Sequence, residues 1–162
     1  MRTREALLVA IMTIALTGWE DGGPAVKGMS NVSAAASEQE LEKLLESFAD
    51  AWNRHDVNAL MSMMTEDGVF EASSGTEVNG QRYEGPKAVR AAYEAVFAQF
   101  PDARWNNPRH FVKGNRGVSE WTFTGTLKDG RRVEVTGCDL FTFRDGRIAV
   151  KNSYRKNRGS SA

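Results

Sequence analysis

The sequence predicts an α+β domain in which three amphipathic helices come first and a set of long antiparallel strands follows. Two observations carry that prediction. Apolar residues recur at helical spacing over residues 37–55 and 86–100. After Pro101 the chain becomes extended runs divided by Gly114-Asn115, Asp129-Gly130 and Asp145-Gly146, dipeptides that favour tight hairpins.

Taken in order, Ser37 followed by Glu40 reads as a capping box, and Leu41, Leu44, Leu45, Phe48 and Trp52 mark one face of a first helix running to about His55. A cation at that end favours the helix dipole, so His55 reads as structural. Asp56 caps a short second helix whose Leu60, Met61 and Met64 continue the apolar surface. Asp67-Gly68 then turns the chain into a brief strand at residues 69–72. A polar loop with Gly75, Gly80 and Gly85 leads to Pro86 at the first position of a third helix, with Val89, Ala92, Tyr93, Val96, Phe97 and Phe100 on one face. Strands are expected at residues 103–113, 118–127, 131–143 and 147–154. Their bulky face and the three helices need each other, so the helices are placed on the concave side of a strongly curved, mainly antiparallel sheet.

A chain of 162 residues holds one ordinary domain, placed at residues 37–158, with an N-terminal extension and linker at 1–36 and a short tail at 159–162. Arg2 and Arg4 before an apolar run at 6–16 have the layout of a secretory signal too short to span a bilayer. Glu5 and the weak cleavage site at Ala15 to Thr17 weigh against it, and Met29 is an alternative start. The default compartment is the cytoplasm; a cleaved signal at 1–17 would make the protein periplasmic or secreted. Acidic and basic residues balance at 21 each, so no net field draws nucleic acid, and no membrane span is expected. Lys151, Arg155, Lys156 and Arg158 read as a solvated strand end. With Cys138, His55 and His110 as the whole Cys/His complement, no disulfide or metal site is expected. No Gly-rich phosphate loop or Gly-x-Ser-x-Gly elbow is present, and no cofactor is expected.

Asp139 is the first candidate for chemistry. Regular alternation puts Val133, Val135, Gly137, Asp139, Phe141 and Phe143 on one face, placing a carboxyl group among apolar side chains. Desolvation there raises a carboxyl pKa and suits it to acid/base work, unless a neighbour pairs with it. The plainer alternative is an Asp at a bulge or sheet edge that reaches solvent or a backbone amide. His110 follows Pro108 in mid-strand, where a bulge would turn it inward as a proton relay; otherwise it is a hydrogen-bonded or exposed histidine. Trp52, Tyr93, Trp121, Phe123 and Phe141 serve the core, and some of them must line any cavity.

Ala51-Trp52-Asn53-x-x-Asp56 closing the first helix, Gly85-Pro86 opening the third and Phe141-x-Phe143-Arg144-Asp145-Gly146-Arg147-Ile148 at the last hairpin resemble the SnoaL-like and ketosteroid-isomerase-like branch of the nuclear transport factor 2-like superfamily. The resemblance implies a cone-like half-barrel with a deep pocket for a small apolar or polycyclic molecule, commonly as a homodimer. It sets Asp139 where ketosteroid isomerases keep a protonated Asp in the oxyanion hole, and Tyr93 on a pocket tyrosine. Phe48 and Ala72 take the places of the second oxyanion-hole group and the general base, and Glu71 beside Ala72 should face the other way. Trp121, Phe123 and Ser153 stand where limonene epoxide hydrolases need Arg and two Asp. A SnoaL-type cyclase arrangement remains open, with Asp139 served by His110, Asn152 or Tyr154. The expected pocket is therefore Phe48, Trp52, Tyr93, Trp121, Phe123, Phe141, Asn152 and Tyr154, with Asp139 and His110 as catalytic candidates. The function implied is small-molecule binding with cofactor-independent isomerase, cyclase or dehydratase-type acid–base chemistry. The alternatives are a non-catalytic ligand-binding or dimerisation module and a protein-transport adaptor.

Overall fold

The computed structural model describes residues 36–158. The signal-like run, Met29 and the tail at 159–162 lie outside the described residues, as does all of the extension except Ala36.

Helix α1 (Glu38–Asn53) starts on the expected capping box: Ser37 Oγ accepts from the Glu40 amide at 3.2 Å, while the Glu40 carboxylate accepts from the Ser37 amide at 2.8 Å. It buries Leu41, Leu45, Phe48, Ala51 and Trp52. His55 just beyond it adopts a left-handed conformation, φ 56°, which redirects the chain. The His55 ring stacks on Phe97 and donates from Nε2 to the Ala103 carbonyl at 3.0 Å. Asp56 caps α2 (Val57–Ser62) through the Ala59 amide. Helix α3 (Gly85–Gln99) carries Pro86 in its first turn, one residue later than expected, and buries Val89, Ala92 and Tyr93.

Six strands form one open mixed sheet: β1 (Met64–Glu71), β2 (Arg82–Glu84), β3 (Arg104–Lys113), β4 (Arg116–Thr126), β5 (Arg132–Arg144) and β6 (Arg147–Arg155), in the order β2-β1-β6-β5-β4-β3. The meander from β3 to β6 is antiparallel, as its hairpin signals required. The first strand differs from expectation. It begins at Met64, which pairs with Ile148 and is 2% exposed rather than extending α2. It also runs parallel to β6, a long-range pairing that no local pattern records. Short β2 was hidden in a polar loop, since three residues with one half-buried side chain show no period.

The helices cover the inner face of this sheet. One core cluster unites Leu45, Phe48, Trp52, Met64, Phe70, Tyr93, Phe141, Phe143 and Ile148, and a second gathers Phe100, Ala103 and Phe123 at the other end. Phe48 meets Phe141 edge-on at 5.9 Å and Tyr93 at 6.5 Å. Each such side chain contributes roughly 1.5–3 kcal/mol on burial. No helix among the described residues is long and apolar enough to cross a membrane.

Candidate functional site

Asp139 points into the domain and is 5% exposed, but it is not alone there. Its Oδ1 accepts from Lys151 Nζ at 2.8 Å and from Ser153 Oγ at 2.5 Å, and its Oδ2 accepts from Trp121 Nε1 at 3.0 Å. Lys151 Nζ donates a second bond to Ser153 Oγ at 2.6 Å. The ammonium also sits 4.9 Å from the Phe70 ring centre and 5.5 Å from that of Trp52, where ring faces favour a cation. With side chains 5% and 7% exposed, Lys151 and Asp139 form a fully desolvated ion pair. Such a pair persists only when hydrogen bonds satisfy it, and here Ser153 and Trp121 supply them. Gly137 makes the Trp121 contact possible: a Cβ at 137 would lie 2.3 Å from Trp121 Cη2, so only a glycine lets the indole cross β5 toward Asp139.

Lys151 and Ser153 line a hollow of about 300 Å³ between α3 and the inner face of the sheet. Trp52, Phe70, Tyr83, Trp105, Trp121 and Phe123 supply its aromatic wall, Ser73, Ser74 and Gln99 add neutral polar groups, and Arg155 stands beside Ser153. Asp139 does not line it; the carboxylate borders a separate space of about 20 Å³ with His110, Ser119, Phe48 and Phe141. The ring nitrogen of Trp52 finds no hydrogen-bond partner among the described residues, so ring packing and the Lys151 ammonium hold that indole.

Two bulges decide which side chains face inward. In β3, pairing jumps from Asn106↔Thr122 to Arg109↔Glu120, leaving Asn107 and Pro108 opposite Trp121, with Asn107 at φ 52°. The extra residue inverts the phase, so His110 turns in and Arg109 turns out. His110 Nδ1 lies 2.7 Å from Ser119 Oγ. Burial pushes the imidazole below its ordinary value, against the opposing pull of Glu46, Glu42 and Asp50 on α1. In β6, pairing jumps from Phe143↔Ile148 to Thr142↔Val150. An unbroken count from the Asp145-Gly146 turn would set Asn152 opposite Asp139; the extra residue, Ala149, sets Ser153 there instead and brings Lys151 inward.

The sequence-predicted residues therefore separate. Trp52, Trp121 and Phe123 line the hollow, while Phe48 and Phe141 border the small space. Tyr93 is fully buried and donates to Met64 Sδ at 3.2 Å; burial, then the Asp139 charge, hold its phenol well above the ordinary value. Asn152 and Tyr154 lie on the outer face, joined by a 3.1 Å hydrogen bond, and do not line the hollow. Glu71 pairs with Arg82, away from Phe70 and Ala72, which do line it. Lys151 is the residue that sequence reasoning missed, taken for part of a solvated basic end. Among the described residues, no cluster of three potential metal ligands occurs.

The model of the SnoaL-like domain family matches residues 45–151, the stretch from α1 to Lys151. Solved structures share the fold. A candidate polyketide cyclase from Xanthomonas campestris pv. campestris superposes with TM-score 0.67 at 20% identity, over 75% of this chain and 93% of its own. An NTF2-like protein of unknown function from Mesorhizobium loti gives 0.62 at 28% identity, over 74% and 93%. A candidate isomerase from Bacillus subtilis gives 0.64 at 20% identity, over 75% and 90%. No curated protein matches the chain in sequence.

Proposed function

The chain belongs to the SnoaL-like domain family, and on that premise we propose that the inner hollow binds a small organic carbonyl compound and promotes isomerase-, cyclase- or dehydratase-type proton transfer on it. The buried Asp139–Lys151–Ser153 network carries this reading, because it meets the hollow through Lys151 and Ser153. A desolvated ion pair is a poor way to gain stability, since apolar residues of similar volume do as well or better. An ionisable group held in a cleft at that cost is a functional candidate. Lys151 has three N–H donors, of which Asp139 and Ser153 take two. The third is assigned to the substrate carbonyl oxygen, where a fixed positive charge in a dry site favours the enolate, and water at the open end accepts the α-proton. Asp139, Ser153 and Trp121 act as positioning residues that hold the ammonium in place.

The test is α-proton exchange of 2-tetralone in D2O, followed by proton NMR. Wild-type protein should exchange the ketone faster than buffer, and Lys151→Met should return it to the buffer rate with the circular dichroism spectrum retained. Exchange at the buffer rate with wild-type protein would remove the chemistry. That outcome leaves a second reading, a non-catalytic binding or dimerisation module, which the absence of Asp139 from the hollow's lining favours. Its dimer contact would be the outer sheet face, where Tyr154 is 50% exposed beside an open groove bordered by Glu120 and Cys138.

A further inference from the structure

We infer that the hollow selects a monoanion: a mono- or bicyclic carboxylate whose charged end meets Arg155 while its ring lies among Trp52, Phe70, Trp105 and Phe123, leaving the third Lys151 N–H to the carbonyl oxygen. The inference rests on the reading that this hollow is a binding site, and it names the ligand class. Its ground is the sign of the lining. Lys151 and Arg155 both border the space, and no Asp or Glu among the described residues does.

The balancing acid is shut away. Asp139 reaches Lys151 from the far side, with both oxygens already accepting hydrogen bonds. Counting Lys151 and Arg155 as +1 each and Asp139 as −1 leaves the site at +1. One bound carboxylate neutralises it, whereas a neutral ligand leaves Arg155 uncompensated and a cation adds repulsion. The excess charge sits at Arg155, because Asp139 already balances Lys151 at 2.8 Å. Arg155 lies four residues on along the same face of β6, roughly 13 Å at about 3.3 Å per residue, and so serves the entrance rather than the floor. There it attracts an anion approaching from solvent.

Size narrows the class. A hollow of about 300 Å³ is at the small end for ligand sites and equals the bulk volume of on the order of ten waters. One or two fused rings with a carboxylate fit.

The experiment is isothermal titration calorimetry with 2-naphthoate and 2-naphthamide, which share a shape and differ by one charge. Naphthoate should bind the wild-type protein roughly tenfold tighter or better, and raising NaCl from about 50 to about 500 mM should shrink that preference as screening grows. Arg155→Gln, an exposed change that leaves the core intact, should abolish the preference. Lys151→Met, which leaves Asp139 uncompensated behind the hollow, should also reduce it, and the exposed Arg155 variant keeps the test valid if the Lys151 variant fails to fold. Equal or tighter binding of naphthamide would overturn charge selection while leaving the hollow a binding site. Binding of neither compound would overturn both this inference and the reading it rests on.

Discussion

The two faces of the sheet carry ion pairs of nearly equal length in opposite settings. Inside, Lys151 and Asp139 meet at 2.8 Å with side chains 5% and 7% exposed. Outside, Arg109 and Glu120 meet at 2.5 Å with side chains 73% and 44% exposed. Distance alone ranks the outer pair first. Burial reverses the order, because water can replace either partner outside and cannot inside. The inner pair is therefore costly to build and costly to break, and the outer pair is neither.

Breaking the inner pair gives the largest expected effect. Asp139→Leu or Lys151→Met alone strands one charge in an apolar setting and should cost about 3–5 kcal/mol in urea unfolding. The double variant removes both charges together and should regain most of that loss. A double variant as unstable as either single one would mean that packing, not charge, makes this position sensitive, and the contrast between the faces would fail.

The contrast also shows what the sequence could and could not disclose. The helices and the β3–β6 meander were legible because capping, periodicity and hairpin turns are local signals. The parallel β1–β6 pairing was not, since it depends on chain closure between Met64 and Ile148. At the site, Asp139 was legible from the alternation of β5, which has no bulge against β4. Its partner was not, because the register of β6 shifts at Ala149. That one residue exchanges Asn152 and Tyr154, the expected neighbours, for Lys151, Ser153 and Arg155. The Arg155, Lys156 and Arg158 that follow gave Lys151 the look of a surface cluster. The bulge before His110 was legible in outline, because Pro108 cannot donate to a ladder and marks where pairing is interrupted.

His110 stands between the two extremes, half-buried, with Ser119 beside it and Glu46, Glu42 and Asp50 of α1 drawing protons toward it. Burial outweighs those carboxylates and holds the folded-state pKa below the unfolded value. As pH falls through the ordinary histidine range near 6.5, the unfolded chain takes up the proton first, so stability should decline and then level off once folded His110 also titrates. His110→Gln removes this contribution, so its thermal midpoint should fall less than that of the wild type between about pH 7.5 and 5.5. Parallel curves for the two proteins would show that His110 is not desolvated as its position requires.

The smallest effect belongs to the outer pair, and its smallness sharpens the contrast. Arg109 points outward only because the Asn107-Pro108 bulge inverts the phase of β3, and its guanidinium reaches Glu120 across the β3–β4 ladder in contact with solvent. Ordering two long side chains offsets much of the attraction, and ions in solution screen the rest. A double-mutant cycle with Arg109→Ala and Glu120→Ala should give a coupling of about 0–1 kcal/mol, shrinking further at high salt. A coupling of several kcal/mol that persisted in salt would require this face to be shielded from water in solution. That is the behaviour expected if a second copy of the chain covers it, so the weak pair reports on the outer face as directly as the strong pair reports on the inner one.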